Sequence, residues 1–222
     1  MTDIPKLDGP AFAPASGGTA RKLVVLLHGY GANGEDLIGL APAFAQVLPD
    51  TAFISPNAPY PCPQAPPGHY QWFDVWDRDP ARRLAWGRQV AVIVDAFLDQ
   101  QLAARTLTDA DLALIGFSQG TMVSLHVGLR RPKPCAGILG YSGRLEFPDL
   151  LATELRSRPP VLLVHGEEDP VVPFAQLATA TDALKANGVP VEAHARPGLG
   201  HGIDIDGIKL GAAFLTTVLA GR

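Results

Sequence analysis

Leu112-Ala113-Leu114-Ile115-Gly116-Phe117-Ser118-Gln119-Gly120-Thr121-Met122-Val123 is the stretch on which the fold turns. Asp111–Phe117 reads as an apolar strand and Gln119–Leu129 as a helix. The hinge between them is Gly116-x-Ser118-x-Gly120. At such a junction a serine sits in a strained turn, with its hydroxyl projecting from the top of a sheet. Side chains two residues to either side would collide there, so both positions are glycine. The helix that follows aims its free N–H groups at the same spot. G-x-S-x-G alone is also what a chance Gly/Ser turn looks like. The apolar strand before it and the helix after it separate the two readings.

The same alternation extends in both directions. Upstream, Lys22-Leu-Val-Val-Leu-Leu27 is a β-rich run that stops at His28-Gly29-Tyr30-Gly31. Leu37, Leu40, Ala41, Phe44 and Val47 then recur at helical spacing. Thr51–Ser55 reads as a strand, 56–80 as a long loop, and 81–104 as a helix with Val90, Ile93, Val94, Phe97 and Leu98 on one stripe. Downstream, strands are expected at 135–141, 160–165 and 189–196. Helices are expected near 148–155, 173–186 and 206–219, and Asn187-Gly188 caps the second of these. Roughly six strands apolar on both faces, alternating with helices, predict one α/β domain. Its sheet is mainly parallel and covered by helices on both faces. Residues 1–21 are polar, aperiodic and rich in Pro and Gly, and read as a loosely structured lead-in to a domain spanning 22–222.

Composition narrows the function classes. A chain of 222 residues can bury about 70–75% of its unfolded surface, so it needs no disulfide or metal staple. Apolar residues make up 47% and charged residues 18%, which is a globular balance. A net charge of −4 excludes a bulk electrostatic footprint for nucleic acid. Cys62 and Cys135 form neither a disulfide framework nor a Cys-x-x-Cys pair. Met1 to Lys22 holds no apolar core of a signal peptide. The densest apolar runs are far too short to span a bilayer. The expectation is a cytoplasmic protein without integral membrane association. Gly (23) and Pro (21) together make about a fifth of the chain, against ~12% in average usage. Six of the prolines lie between Pro56 and Pro67, a stretch read as a semi-rigid pocket wall.

In parallel sheets, ligands bind beyond the carboxyl ends of the strands. A nucleophilic serine needs a base, and the base needs an orienting acid, in the chain order Ser, Asp/Glu, His on this kind of sheet. His165-Gly166-Glu167-Glu168-Asp169-Pro170 and Gly198-Leu199-Gly200-His201-Gly202 follow two of the strands in that order. Ser118, Asp169 and His201 are therefore the catalytic candidates, with Glu168 as the alternative acid. Backbone N–H groups of Gln119 and Tyr30 are the candidate oxyanion donors.

These residues carry a resemblance. Leu27-His-Gly-Tyr-Gly31, Pro56-Asn-Ala-Pro59, Trp72-Phe-Asp74, Gly116-Phe-Ser-Gln-Gly120, Tyr141-Ser-Gly143, His165 to Pro173 and Gly200-His201 occur in the order found in the phospholipase/carboxylesterase family. That family lies within the α/β-hydrolase superfamily and includes acyl-protein thioesterases. The resemblance implies Ser118, Asp169 and His201 as triad, Tyr30 and Gln119 as oxyanion donors, and Trp72 near the acyl site. It also implies a homodimer as a compatible assembly. Thr121 departs from a common glycine and Tyr30 from a common leucine.

The expected activity is a serine carboxylesterase acting on short- to medium-chain esters, with thioesters and lysophospholipids as related substrates. Alternatives on the same scaffold are a peptidase or lactone hydrolase, or a binding protein without turnover. No large cap domain, no metal and no cofactor are expected. His28 and His165 are read as braces of their turns, His69 as solvated and His126 as a packed core residue. Arg82, Arg83 and Arg88 are read as a solvated helix face, and Cys62 as an exposed thiol.

Overall fold

In a computed structural model, which describes residues 4–220, the chain first joins the sheet at β1 (Ala11–Phe12). It continues through β2 (Lys22–Leu27), α1 (Gly34–Ile38), α2 (Ala41–Ala45), β3 (Thr51–Ile54), β4 (Tyr60–Pro61) and β5 (Tyr70–Gln71). Next come α3 (Pro80–Arg105), β6 (Leu112–Phe117), α4 (Gln119–Gly128), β7 (Gly137–Tyr141) and α5 (Leu151–Glu154). The chain closes with β8 (Val161–Gly166), α6 (Ala175–Ala186), β9 (Val191–Arg196) and α7 (Ile205–Leu219). The main sheet runs β1-β3-β2-β6-β7-β8-β9, parallel throughout except for β1, which pairs antiparallel with β3. This is the expected single α/β domain.

Strand composition explains the layering. Leu23, Val25 and Leu27 of β2 enter one core while Val24 and Leu26 enter the other. In β6, Leu112 and Leu114 face the first core and Ala113 and Ile115 the second. A strand apolar at every position fits only between two covered faces. Helices α3, α4 and α6 cover one face, and α1, α2 and α7 the other. The outer strands β1 and β9 are the exceptions, with residues exposed or half-buried. Register brings the strand ends to one level: Leu27 pairs Gly116, and Phe117 pairs Tyr141.

Three local departures have physical causes. The helix expected across 37–47 is two short ones, because Pro42 has no N–H to bond back to the preceding turn. The 56–80 loop contains the antiparallel β4–β5 ribbon. Residues 109–111 form a 3₁₀ turn closed by Thr108 and Asp111, so β6 starts one residue late.

Arg131, just past α4, ties one side of the molecule together. Its guanidinium meets Asp95 and Asp99 of α3 at 2.7 Å each and Asp109 of the 3₁₀ turn at 2.6 Å. Its side chain is 4% exposed. Arg83 is likewise no solvated cation. It is paired with Glu146, and Arg88 with Glu154, whereas Arg82 stays on the surface with Asp77. No helix of the described residues is long and apolar enough to cross a membrane.

Candidate active site

Ser118 has φ 53° and ψ −115°, a conformation that L-residues rarely adopt. The flanking glycines are there for space. A Cβ on Gly116 would lie 2.4 Å from the Thr121 N, and one on Gly120 would lie 1.7 Å from the Leu27 carbonyl oxygen. The Ser118 amide is tied to the Tyr141 carbonyl at 2.9 Å, so β7 helps to hold the turn. Thr121 fits because Gly140 and Gly143 leave room for its methyl group, and its hydroxyl donates to the Tyr141 carbonyl at 2.9 Å.

His201 and Asp169 meet directly. His201 Nδ1 lies 2.7 Å from Asp169 Oδ2. The other carboxylate oxygen accepts the amides of Val171 and Val172 at 2.8 Å each. Burial by itself raises the Asp169 carboxyl, but hydrogen bonds from His201, Val172 and Val171 outweigh it and hold the group below the usual range. Glu167 and Glu168 point outward and are exposed. The His201 loop rests on Gly166, where a Cβ would sit 2.2 Å from the Leu199 carbonyl oxygen. The imidazole packs on Phe117, centroids 4.9 Å apart, which places it beside the residue preceding Ser118. Among the described residues Ser118 Oγ makes no hydrogen bond, to His201 or otherwise. Unliganded sites often close that bond only with substrate in place.

The loop carrying Tyr30 abuts the serine. A Cβ on Gly29 would be 3.5 Å from Ser118 Cβ. Neither Tyr30 N–H nor Gln119 N–H has an acceptor among the described residues. The proline-rich loop steadies this segment, since Gly31 donates to the Tyr70 carbonyl and Tyr70 to the Ala32 carbonyl, at 2.9 and 2.8 Å. The Tyr30 hydroxyl bonds the Gln64 side chain. Burial first, with Cys62 second, pushes that phenol up to about 12. Cys62 itself is buried, not exposed: it continues the β4–β5 hairpin, its amide donating to the His69 carbonyl at 3.0 Å, and its Sγ lies against the Gly31 turn.

Trp72 has no exposed surface, so it stands behind the site wall. Its indole Nε1–H donates to the His28 carbonyl at 2.9 Å and its amide to Gln119 Oε1 at 2.9 Å. Gln119 Nε2 returns a bond to the Phe73 carbonyl at 2.7 Å. One buried unit thus links the Tyr30 loop to the start of α4, fixing the spacing between the two free amides. His28 completes it, its ring packed tilted against Trp72 with centroids 5.3 Å apart and its Nε2 accepting the Ala58 amide at 3.0 Å. Sequence reading did not single out the Gln119 side chain, Phe117 or Ser142. Ser142 Oγ donates to the Gly202 carbonyl at 3.2 Å and anchors the His201 loop. Their only sequence signal is that they lie inside or beside strand-end motifs.

Burial pushes the imidazoles of His28 and His126 down to about 4 from the usual 6.5. Between those values the unfolded chain binds protons that the folded chain refuses, so stability falls as pH falls. From pH 7 to pH 5 the loss should be about 1–2 kcal/mol per histidine, before carboxylates titrate appreciably. Urea unfolding at the two pH values checks this, and an unchanged midpoint would contradict neutral burial. His126→Leu should remove its share of the slope.

Known proteins resemble this chain over most of its length. A sequence model of the family described as phospholipase/carboxylesterase matches residues 11–219. Acyl-protein thioesterase 1 of Schizosaccharomyces pombe is 31% identical over 228 residues, covering 96% of this chain and 97% of that protein. The esterase YpfH of Escherichia coli is 30% identical over 190 residues, covering 83% of this chain and 78% of that protein. The crystal structure of esterase PE8 superposes with a TM-score of 0.91 at 42% identity, covering 97% of this chain and all of that one.

Proposed function

Since the chain belongs to the phospholipase/carboxylesterase family and is a carboxylic ester hydrolase, we propose that it works through Ser118, His201 and Asp169 on short- to medium-chain esters and thioesters. The observation that carries this is the 2.7 Å bond between His201 Nδ1 and Asp169 Oδ2, with the imidazole packed beside the Ser118 turn.

His201 Nδ1–H donates a hydrogen bond to Asp169, which leaves Nε2 as the basic nitrogen for Ser118. His201 takes the Ser118 proton as Oγ attacks the acyl carbonyl, and the resulting imidazolium is stabilised by the Asp169 carboxylate. The amides of Tyr30 and Gln119 receive the oxyanion, held in place by the Trp72–Gln119 unit. Collapse of the tetrahedral intermediate expels the alcohol or thiol, protonated by His201. Water then attacks the acyl-enzyme with His201 again as base. Trp72 acts in this scheme by positioning the donors.

A fluorophosphonate probe followed by peptide mass spectrometry tests the proposal. The expected adduct is on Ser118, and it should be lost in His201→Ala. Folded protein that resists labelling would favour a binding role on this scaffold.

A further inference from the structure

Tyr141-Ser142-Gly143 stands at the carboxyl end of β7 and takes no part in the chemistry just described. It lies between the two halves of the candidate triad. On one side the Tyr141 carbonyl accepts the Ser118 amide and the Thr121 hydroxyl, at 2.9 Å each. A Cβ on Gly143 would lie 2.8 Å from the Ser118 carbonyl oxygen, so the segment is pressed against the nucleophile turn. On the other side Ser142 Oγ donates to the carbonyl of Gly202, the residue after His201, at 3.2 Å. The Ser142 amide donates to the Val164 carbonyl at 2.9 Å, which fixes its backbone to β8, the strand that leads to the Asp169 turn.

Ser142 is the odd residue of the three. Its φ is 46°, in the left-handed region where a side chain is strained. Glycine would sit there freely. Glycine does stand next door, where the Thr121 side chain leaves no room for a Cβ. At position 142 the chain keeps a serine and accepts the strain. The residue is 1% exposed, so contact with water does not account for the hydroxyl. What the hydroxyl meets is the Gly202 carbonyl. The His201 loop has little else to hold it at its glycines. Apart from chain neighbours, no atom would come within 4 Å of a Cβ on Gly198 or Gly202, and the nearest to one on Gly200 would be 3.9 Å away. Among the described residues Gly202 makes no other hydrogen bond, and α7 begins only past its cap, Asp204.

We propose that Ser142 is a positioning residue for the hydrolysis, and that Tyr141-Ser142-Gly143 is a clamp that sets the distance between Ser118 and His201. The proposal rests on the triad reading above. One short segment holds the nucleophile turn through Tyr141 and the base loop through Ser142. The imidazole must come within hydrogen-bond reach of the serine when substrate binds. A His201 loop released from Ser142 would sample positions out of that reach, and a misplacement of about 1 Å can cost about 10²-fold in rate. Substrate binding does not use the contact, so the loss belongs to kcat.

The test is the steady-state kinetics of Ser142→Ala and Ser142→Gly on p-nitrophenyl acetate, with thermal unfolding of both. Alanine keeps the strained backbone and loses the hydroxyl, whereas glycine loses the hydroxyl and the strain together. In both variants kcat should fall about tenfold or more while KM stays within about twofold of wild type. Ser142→Gly should nevertheless melt above Ser142→Ala. A residue that only supports the fold would give activity that follows the melting temperature, with Ser142→Gly the more active of the two. That outcome would overturn the proposal. So would a kcat within about twofold of wild type in either folded variant, or a loss confined to KM. If Ser142→Ala does not fold, the unstrained Ser142→Gly carries the same kcat measurement. Ser118→Ala, run alongside, separates the failures. Turnover that needs Ser118 but not the Ser142 hydroxyl removes the clamp alone. Turnover that survives Ser118→Ala removes the triad reading itself.

Discussion

Ser118→Ala should lower turnover of p-nitrophenyl acetate by about 10⁴–10⁶ while leaving the fold intact. Removal of a nucleophilic serine has an effect of that order in serine hydrolases, because the remaining oxyanion donors stabilise only a poorly reacting water. The substitution is clean in structural terms. Ser118 Oγ makes no hydrogen bond among the described residues, so no partner is orphaned, and alanine at φ 53° is no more strained than serine. Stability should therefore change by less than about 1 kcal/mol. Ser118→Gly offers a companion measurement. Glycine adopts positive φ freely, so this variant should be as inactive as Ser118→Ala and about 1 kcal/mol more stable than it. The elbow would then be a place where fold stability is given up for an exposed nucleophile. Residual activity above about one part in a hundred in folded Ser118→Ala would sink the assignment of Ser118.

Arg131→Met should cost about 3–5 kcal/mol in unfolding free energy at pH 7, the usual scale for removing one member of a buried charge network. Three carboxylates converge on this guanidinium, and the geometry makes their loss unequal. Asp99 is largely exposed and will turn to solvent, whereas Asp95 and Asp109 are more enclosed. Burial already raises the Asp95 carboxyl despite the hydrogen bond from Arg131. Without the cation it must rise further. A carboxyl whose folded pKa exceeds its unfolded value is destabilising above that range and ceases to be so as it protonates. The deficit of the variant should thus be largest at neutral pH and shrink as pH falls toward about 4. Urea unfolding across this range, with unchanged m-values, gives the answer. A loss below about 1 kcal/mol at pH 7 would mean that the cluster is an ornament of the surface.

Where sequence reading and structure diverge, the cause is the range of the interaction. Thr51–Ile54, Leu112–Phe117 and Val161–Gly166 are legible as strands because each is a short, almost continuous apolar run, a property of the segment itself. Pro42 splitting a helix is equally local, and its effect is readable in hindsight. The burial of Cys62 is not local, because its sulfur packs against the Gly31 turn, far upstream in the chain. Neither is the fate of Arg83. Its neighbours in the chain are those of a surface helix, yet its partner, Glu146, comes from the loop after β7. The sequence favours Asp169 over its neighbour Glu168 only by its place just before the helix that follows the turn. Only Asp169 is turned inward, where two amides and His201 receive it.

By itself the sequence determined the layering of this protein and placed the candidate catalytic residues at strand ends. Strand hydrophobicity and glycine placement act over a few residues and need no distant partner to be read. The tertiary structure alone decided which groups touch. It buried Trp72, expected near the acyl site, as a brace that joins the His28 carbonyl to the Gln119 side chain, and it left both ring nitrogens of His126 and the Nε of Arg83 without partners among the described residues. Those outcomes depend on where separate elements pack against each other. Hydrogen bonding acts over about 3 Å and is satisfied or refused only after the chain has closed.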